Sequence, residues 1–224
     1  MKQFPFSAAL ILSVATVAAA ETATERLTAS AEVFQEIMST PDKGIPQDLL
    51  AKAQCVIIVP GLKKGAFVVG GQYGRGFAEC RHEDGYGWGA PAAVRVEGGS
   101  VGFQIGGSST DVVMLVMNKR GMQKLLGDKF TLGADASVAA GPVGRTVDAD
   151  TDARMNAEIL AWSRAKGLFA GISLSGATLR NDADVNAELY GRKIDNKEVL
   201  GGATEPPAAA QVLRATLDKY SMRK

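Results

Sequence analysis

VGFQIGGSSTDVVMLVMNKRGMQKLLGDKFTLGADASVAAGPVGR, residues 101–145, decides the fold. Val101, Phe103 and Ile105 alternate with Gly102, Gln104 and Gly106, the period of a half-buried strand. Val112 to Met117 is continuously apolar and rich in valine, as in a strand covered on both faces. Asn118 stands where a helix N-cap would, and Gly127 where its C′ residue would. Phe130, Leu132, Ala134, Ala136 and Val138 make a second alternating run, closed by Gly141-Pro142. The stretch is glycine-rich and holds no catalytic cluster, so it reads as architecture.

Upstream, Leu27, Ala31, Phe34 and Met38 recur at helical spacing, with Val33 and Ile37 widening the stripe. This predicts an amphipathic helix over 24–38, either packed on a sheet or lying in a bilayer interface. Its charges, Glu25, Glu32 and Glu36 against Arg26 alone, suit an anionic lipid surface poorly and favour the packed reading. A short helix over 47–53 follows, then a buried-type strand over 55–59 ended by Pro60-Gly61. Residues 66–81 form a glycine-rich β region with Gly70, Gly71, Gly74 and Gly76. Asp84-Gly85 signals a hairpin turn, 88–96 another strand, and Gly98-Gly99 another turn. Glycine weakens strands, so its frequency calls for tight curvature or close approach of another layer.

Downstream, 157–164 and 168–179 are strand candidates. Asn181 caps a short helix over 182–190, ended by Gly191. Residues 201–207 read as a linker before a terminal helix over 207–220, where Val212, Leu213 and Leu217 share a face. The fold class is therefore α+β. It is a single domain built on a curved, glycine-rich antiparallel sheet, half-barrel-like, with flanking helices.

The first twenty residues read as a signal peptide: Lys2, an apolar run over 4–17, and Ala18-Ala19-Ala20 before Glu21. An exported, periplasmic protein is expected, peripheral to a membrane if bound to one. Residues 21–195 would form the domain and 196–224 the linker and C-terminal helix. Removing Lys2 with the leader takes the formal charge from +1 to zero, so no global field draws nucleic acid or anionic membrane. Any anion binding must come from local patches.

Candidate chemistry is sparse. His82 is the only histidine and lies beside a turn, which argues against a zinc site or a histidine-based triad. A hydrolase would have to unite it with Ser108, Asp111 or Asp135. Cys55 and Cys80 lie on neighbouring strand candidates and are either a disulfide or two buried thiols. Asp148, Asp150 and Asp152 have the spacing that opens a calcium loop, but Ala153 and Ile159 stand where glycine and glutamate are needed. The glycines of 71–76 are out of order for a phosphate loop. No catalytic residue, metal or cofactor is expected. Lys63, Lys64, Arg75, Arg164 and Lys166 are the cations suited to a phospholipid head group, with Lys63-Lys64 placed in a turn.

Four phrases, GGSVGFQIGGSSTDVV, KFTLGADASVAAGPVGR, SRAKGLFAGISLSGA and NAELYG, resemble consecutive signatures of the SYLF domain, in the family's order. The resemblance spans roughly residues 31–191. It implies a non-catalytic lipid-binding module, here of the bacterial envelope, with phospholipid or a membrane surface as partner. The alternative is a structural or protein-interaction module of the periplasm without a lipid ligand. Some eukaryotic SYLF domains use a basic N-terminal amphipathic segment on phosphoinositides, and the helix over 24–38 lacks that basic face.

Overall fold

The computed structural model describes residues 21–40, 44–66, 70–100, 106–143, 156–165, 168–172 and 174–221. The leader, the strand expected over 101–105, the acidic run over 148–152 and Lys166 lie outside the described residues.

Helix α1 (Ala23–Ser39) begins at a capping box. Thr22 Oγ1 accepts from the Glu25 amide at 3.2 Å, and the Glu25 carboxylate accepts from the Thr22 amide at 2.8 Å. Its apolar stripe is buried through Leu27, Ala31, Phe34 and Ile37, so it packs as core. Helix α2 (Gln47–Lys52) leads into β1 (Cys55–Ala66), β2 (Gly70–Cys80), β3 (Ala92–Ser100) and β4 (Gly106–Val116). Then come α3 (Lys119–Leu125), capped by Asn118 as expected, and β5 (Lys129–Thr131), β6 (Val138–Ala140) and β7 (Ile159–Ala165). The chain continues with β8 (Leu168–Gly171), β9 (Thr178–Asn181) and α4 (Ala183–Tyr190), which stops at left-handed Gly191. After helical turns over Asn196–Glu198, Val199–Ala203 and Ala208–Ala210, α5 (Gln211–Ser221) closes the fold.

The nine strands among the described residues form one sheet in the order β5-β9-β3-β2-β1-β4-β7-β6, with β8 also on β7. The sheet is mixed rather than wholly antiparallel, because β6 runs parallel to β7. Several expected breaks are absent. β1 does not end at Pro60-Gly61: a register shift between Val59 and Leu62, with Gly61 at φ 59°, absorbs the proline and the ladder resumes. Lys63 and Lys64 are thus strand residues rather than turn residues. β3 likewise runs through Gly98-Gly99. Conversely, two alternating runs are broken. Gly133 at φ 85° and Gly176 at φ 86° turn the chain inside 130–138 and 168–179, which alternation alone does not reveal.

Alternate residues of the sheet enter two cores. Ile57, Val94, Met114, Phe130, Ile159 and Leu179 share one cluster although β5 and β7 stand near opposite edges. That face is therefore concave. Val56, Ile58, Phe77, Leu115 and Trp162 pack on the convex side against Leu27, Phe34, Leu213 and Leu217 of α1 and α5. Glycine serves close approach at Gly76, where an added Cβ would run into the Ile58 backbone carbonyl, and at Gly141, where it would strike the Trp162 ring. Gly65 and Gly71 meet no such wall, so crowding is not the cause there.

Cys55 and Cys80, direct cross-strand partners, form a disulfide. Replacing both by alanine should cost about 3 kcal/mol on the chain-entropy account, read as a lower urea midpoint with a somewhat steeper slope, because the unfolded chain without the crosslink is more expanded. Gly76→Ala should cost more than about 2 kcal/mol, whereas Gly65→Ala should be nearly neutral in the same titration.

Candidate functional site

Cross-strand register builds a row of cations on the sheet. Arg75 lies opposite Arg95, Arg95 opposite Arg180, and Arg180 opposite Lys129. Directly opposed residues of an antiparallel ladder share a face. Their strand neighbours Val94, Val96, Leu179 and Phe130 enter the concave core, so the four cations project from the convex face. At about 4.8 Å between strands, the row spans about 15 Å. The apolar contacts of the helix layer reach β3 at Ala93 and do not include β5 or β9, so Arg180 and Lys129 stand beyond them, while Arg75 lies against Asp182 at the start of α4.

Counter-charge is short. Arg75 Nε lies 2.9 Å from Asp182 Oδ2, and Arg95 Nε 2.9 Å from Glu97 Oε1. Arg180 Nη1 donates to the other oxygen of the same Glu97 at 3.3 Å. Among the described residues Lys129 has no ion pair. Four cations therefore face three carboxylates, Asp182 being buried, Glu97 divided between two guanidinium groups and Asp135 lining the adjoining cleft. The next row outward, again in register, is Ser109, Lys63, Tyr73, Glu97, Thr178 and Thr131. Tyr73 is 45% exposed there. A cleft of about 300 Å³ opens between the rows, lined by Glu97, Lys129, Thr131, Asp135, Thr178 and Arg180, among others. Guanidinium, ammonium and hydroxyl donors around one small cleft suit an oxyanion such as phosphate.

The cations expected from sequence separate. Lys63 and Arg75 belong to this face. Lys64 points to the opposite one, because successive strand residues alternate. Arg164 is occupied internally: it pairs with Glu36 of α1 and, at 2.6 Å, with Asp111, and its guanidinium lies 5.8 Å from the Phe169 ring centroid. It ties α1 to the sheet. Lys166 lies outside the described residues. Arg95, Lys129 and Arg180 were missed. Each is the outward position of an alternating strand, and only the register shows that they share a row.

The hydrolase constellation does not assemble. Asp111 accepts from the Gly61 amide and from Arg164, and Asp135 accepts from the Thr131 amide. Ser108 pairs with Lys64, nine residues along β1 from Cys55, whereas His82 follows Cys80, the partner of Cys55. That separation is about 30 Å. Among the described residues no group of three or more His, Cys, Asp or Glu side chains could hold a metal ion. Among the described residues no helix is long and apolar enough to cross a membrane.

Residues 97–220 match the family described as Ysc84, Las17-binding protein actin regulator. The chain is also 35% identical over 191 residues to SH3 domain-containing YSC84-like protein 1 of Homo sapiens, covering 84% of this chain and 55% of that protein. The chain belongs to the Ysc84, or SYLF, family. An SH3 domain-containing protein of Schizosaccharomyces pombe is 40% identical over 178 residues, covering 78% of this chain and 41% of that one. LAS seventeen-binding protein 3 of Saccharomyces cerevisiae is 35% identical over 181 residues, covering 79% and 39%. This Ysc84-family chain thus spans about half the length, or less, of these relatives. Glu97, Lys129 and Arg180 fall inside the family match, and Arg75 and Arg95 precede it.

Proposed function

We propose that this Ysc84-family chain is a non-catalytic phospholipid-binding protein of the bacterial envelope, exported by its leader and peripheral to the membrane. The observation that carries the reading is the in-register row Arg75–Arg95–Arg180–Lys129 on the convex face, four cations against the three carboxylates of Glu97, Asp135 and Asp182. A head-group phosphate would accept hydrogen bonds from Arg180 and Lys129, while Arg95 adds field. Lys63 and exposed Tyr73 in the next row would meet the interfacial region, where an aromatic ring with a polar tip is favoured. Because the mature chain is formally neutral, this attraction acts at short range and is sensitive to salt.

Sedimentation with vesicles tests the reading. The mature protein should bind anionic vesicles, weakly bind zwitterionic ones, and lose affinity as salt rises. Arg180→Gln combined with Lys129→Gln should weaken binding about tenfold, the scale of one or two lost charge-assisted hydrogen bonds. Glu97→Gln, which frees two guanidinium groups, should strengthen it. Lys52→Gln, on α2 and outside both rows, should do neither. Failure to bind any vesicle would overturn the lipid reading. It would favour a protein-interaction module instead, a reading supported by relatives whose names describe Las17-binding proteins.

A further inference from the structure

Glu79 of β2 is 1% exposed, and neither carboxyl oxygen has a hydrogen-bond partner among the described residues. Buried Asp182 shares the lack of hydrogen bonds but has Arg75 at 2.9 Å, whereas no ion pair is formed by Glu79 among the described residues. An unpaired buried carboxylate costs several kcal/mol, so such a group stays neutral or disturbs what covers it. Glu79 follows Phe77 on the convex face, beneath the helix layer. Arg214 and Asp218 of α5 face it with opposing charges, and the Tyr190 phenol of α4 also feels it. Arg214 cannot serve it fully, because its Nε donates to the Trp88 carbonyl at 3.0 Å. Burial is the largest influence on the carboxyl and holds it well above the usual carboxylate range, more than Arg214 lowers it.

The element over this acid docks chiefly on α1 and α2. Leu213 and Leu217 are its buried anchors, and Tyr220 meets Phe34 of α1 edge-on. Ser221 accepts from Trp88 Nε1 at 2.7 Å through its hydroxyl and from Arg81 at 3.1 Å through its carbonyl. An eleven-residue helix does not hold its shape alone in water, so α5 depends on this docking.

We propose that Glu79 makes α5 a proton-dependent latch, closed over the convex core when the carboxyl carries its proton and loosened when it does not. The closed form binds the proton more tightly than the open one, whose exposed glutamate titrates normally. The closed form therefore loses stability as pH rises from the ordinary glutamate range towards the raised value, and no further beyond it. Within that window the opening constant rises up to tenfold per pH unit. Opening would uncover Phe34 and Trp88, which are fully buried in the closed form.

Amide hydrogen exchange on the mature protein, expressed as protection factors to remove the intrinsic pH effect, tests this between pH 5 and 9. Protection over 211–221 should fall severalfold or more as pH rises, while that of β4 stays constant. Glu79→Gln should abolish the fall, and Glu79→Met should do the same if the glutamine variant folds poorly. A flat wild-type profile would overturn the latch. So would an equal fall in β4, which would make the effect global, or faster exchange of α5 in Glu79→Gln, which would mean that the ionised carboxyl holds Arg214 and keeps the helix closed.

Discussion

Burial of both faces of β1 is the constraint on which the rest depends. Cys55, Ile57 and Val59 point into the concave core, and Val56 and Ile58 into the convex one, all essentially inaccessible. One strand can be dry on both sides only if two separate apolar layers are supplied. The sheet supplies the first by curling, so that strands as distant as β5 and β7 feed one buried cluster. The helices α1, α2 and α5 supply the second. Small residues let these layers approach, as Gly76 does beside the Ile58 carbonyl.

The helix layer is positioned as much by polar contacts as by apolar ones. Asn186, fully buried on α4, accepts from the Ala93 amide at 2.7 Å and donates to Asn196, which in turn donates to the Ala93 carbonyl at 3.1 Å. Two side chains thereby serve a backbone unit of β3, satisfying groups that would be costly to leave buried and unpaired. Trp88 does similar work for α5, with Arg81 stacked on its ring at 4.3 Å. Glu79 departs from this pattern, with both carboxyl oxygens buried and neither hydrogen-bonded nor ion-paired among the described residues.

Opposed like charges destabilise a sheet, yet Arg75, Arg95, Arg180 and Lys129 stand side by side. Folding tolerates the row because it lies at the margin of the helix layer, where water screens it, and because Glu97 and Asp182 offset part of it. The residual charge is then available to an anion. Arg164 shows the contrasting outcome: placed under α1, it is consumed by Glu36 and Asp111 and becomes part of the framework.

Local pattern was legible wherever it is short-range. Continuous burial over Val112–Val116, the Asn118 cap, the amphipathic α1 and the stop at Gly191 all follow from side-chain period and backbone preference. So did the α+β class and the curvature, through apolar strands rich in glycine. Turns hidden in alternating runs at Gly133 and Gly176, and the continuation of β1 past Pro60, were not legible, because φ at a glycine and a register shift leave no trace in hydrophobic period. Lys63 and Lys64 look like one patch in sequence and face opposite ways in the strand. Arg75, Arg95, Lys129 and Arg180 look unrelated and form one row. By itself the sequence determined which residues alternate and which face of each element is apolar. Only the tertiary structure decided which strands lie side by side and in what register, because those pairings are set by the joint packing of both cores and not by any single segment.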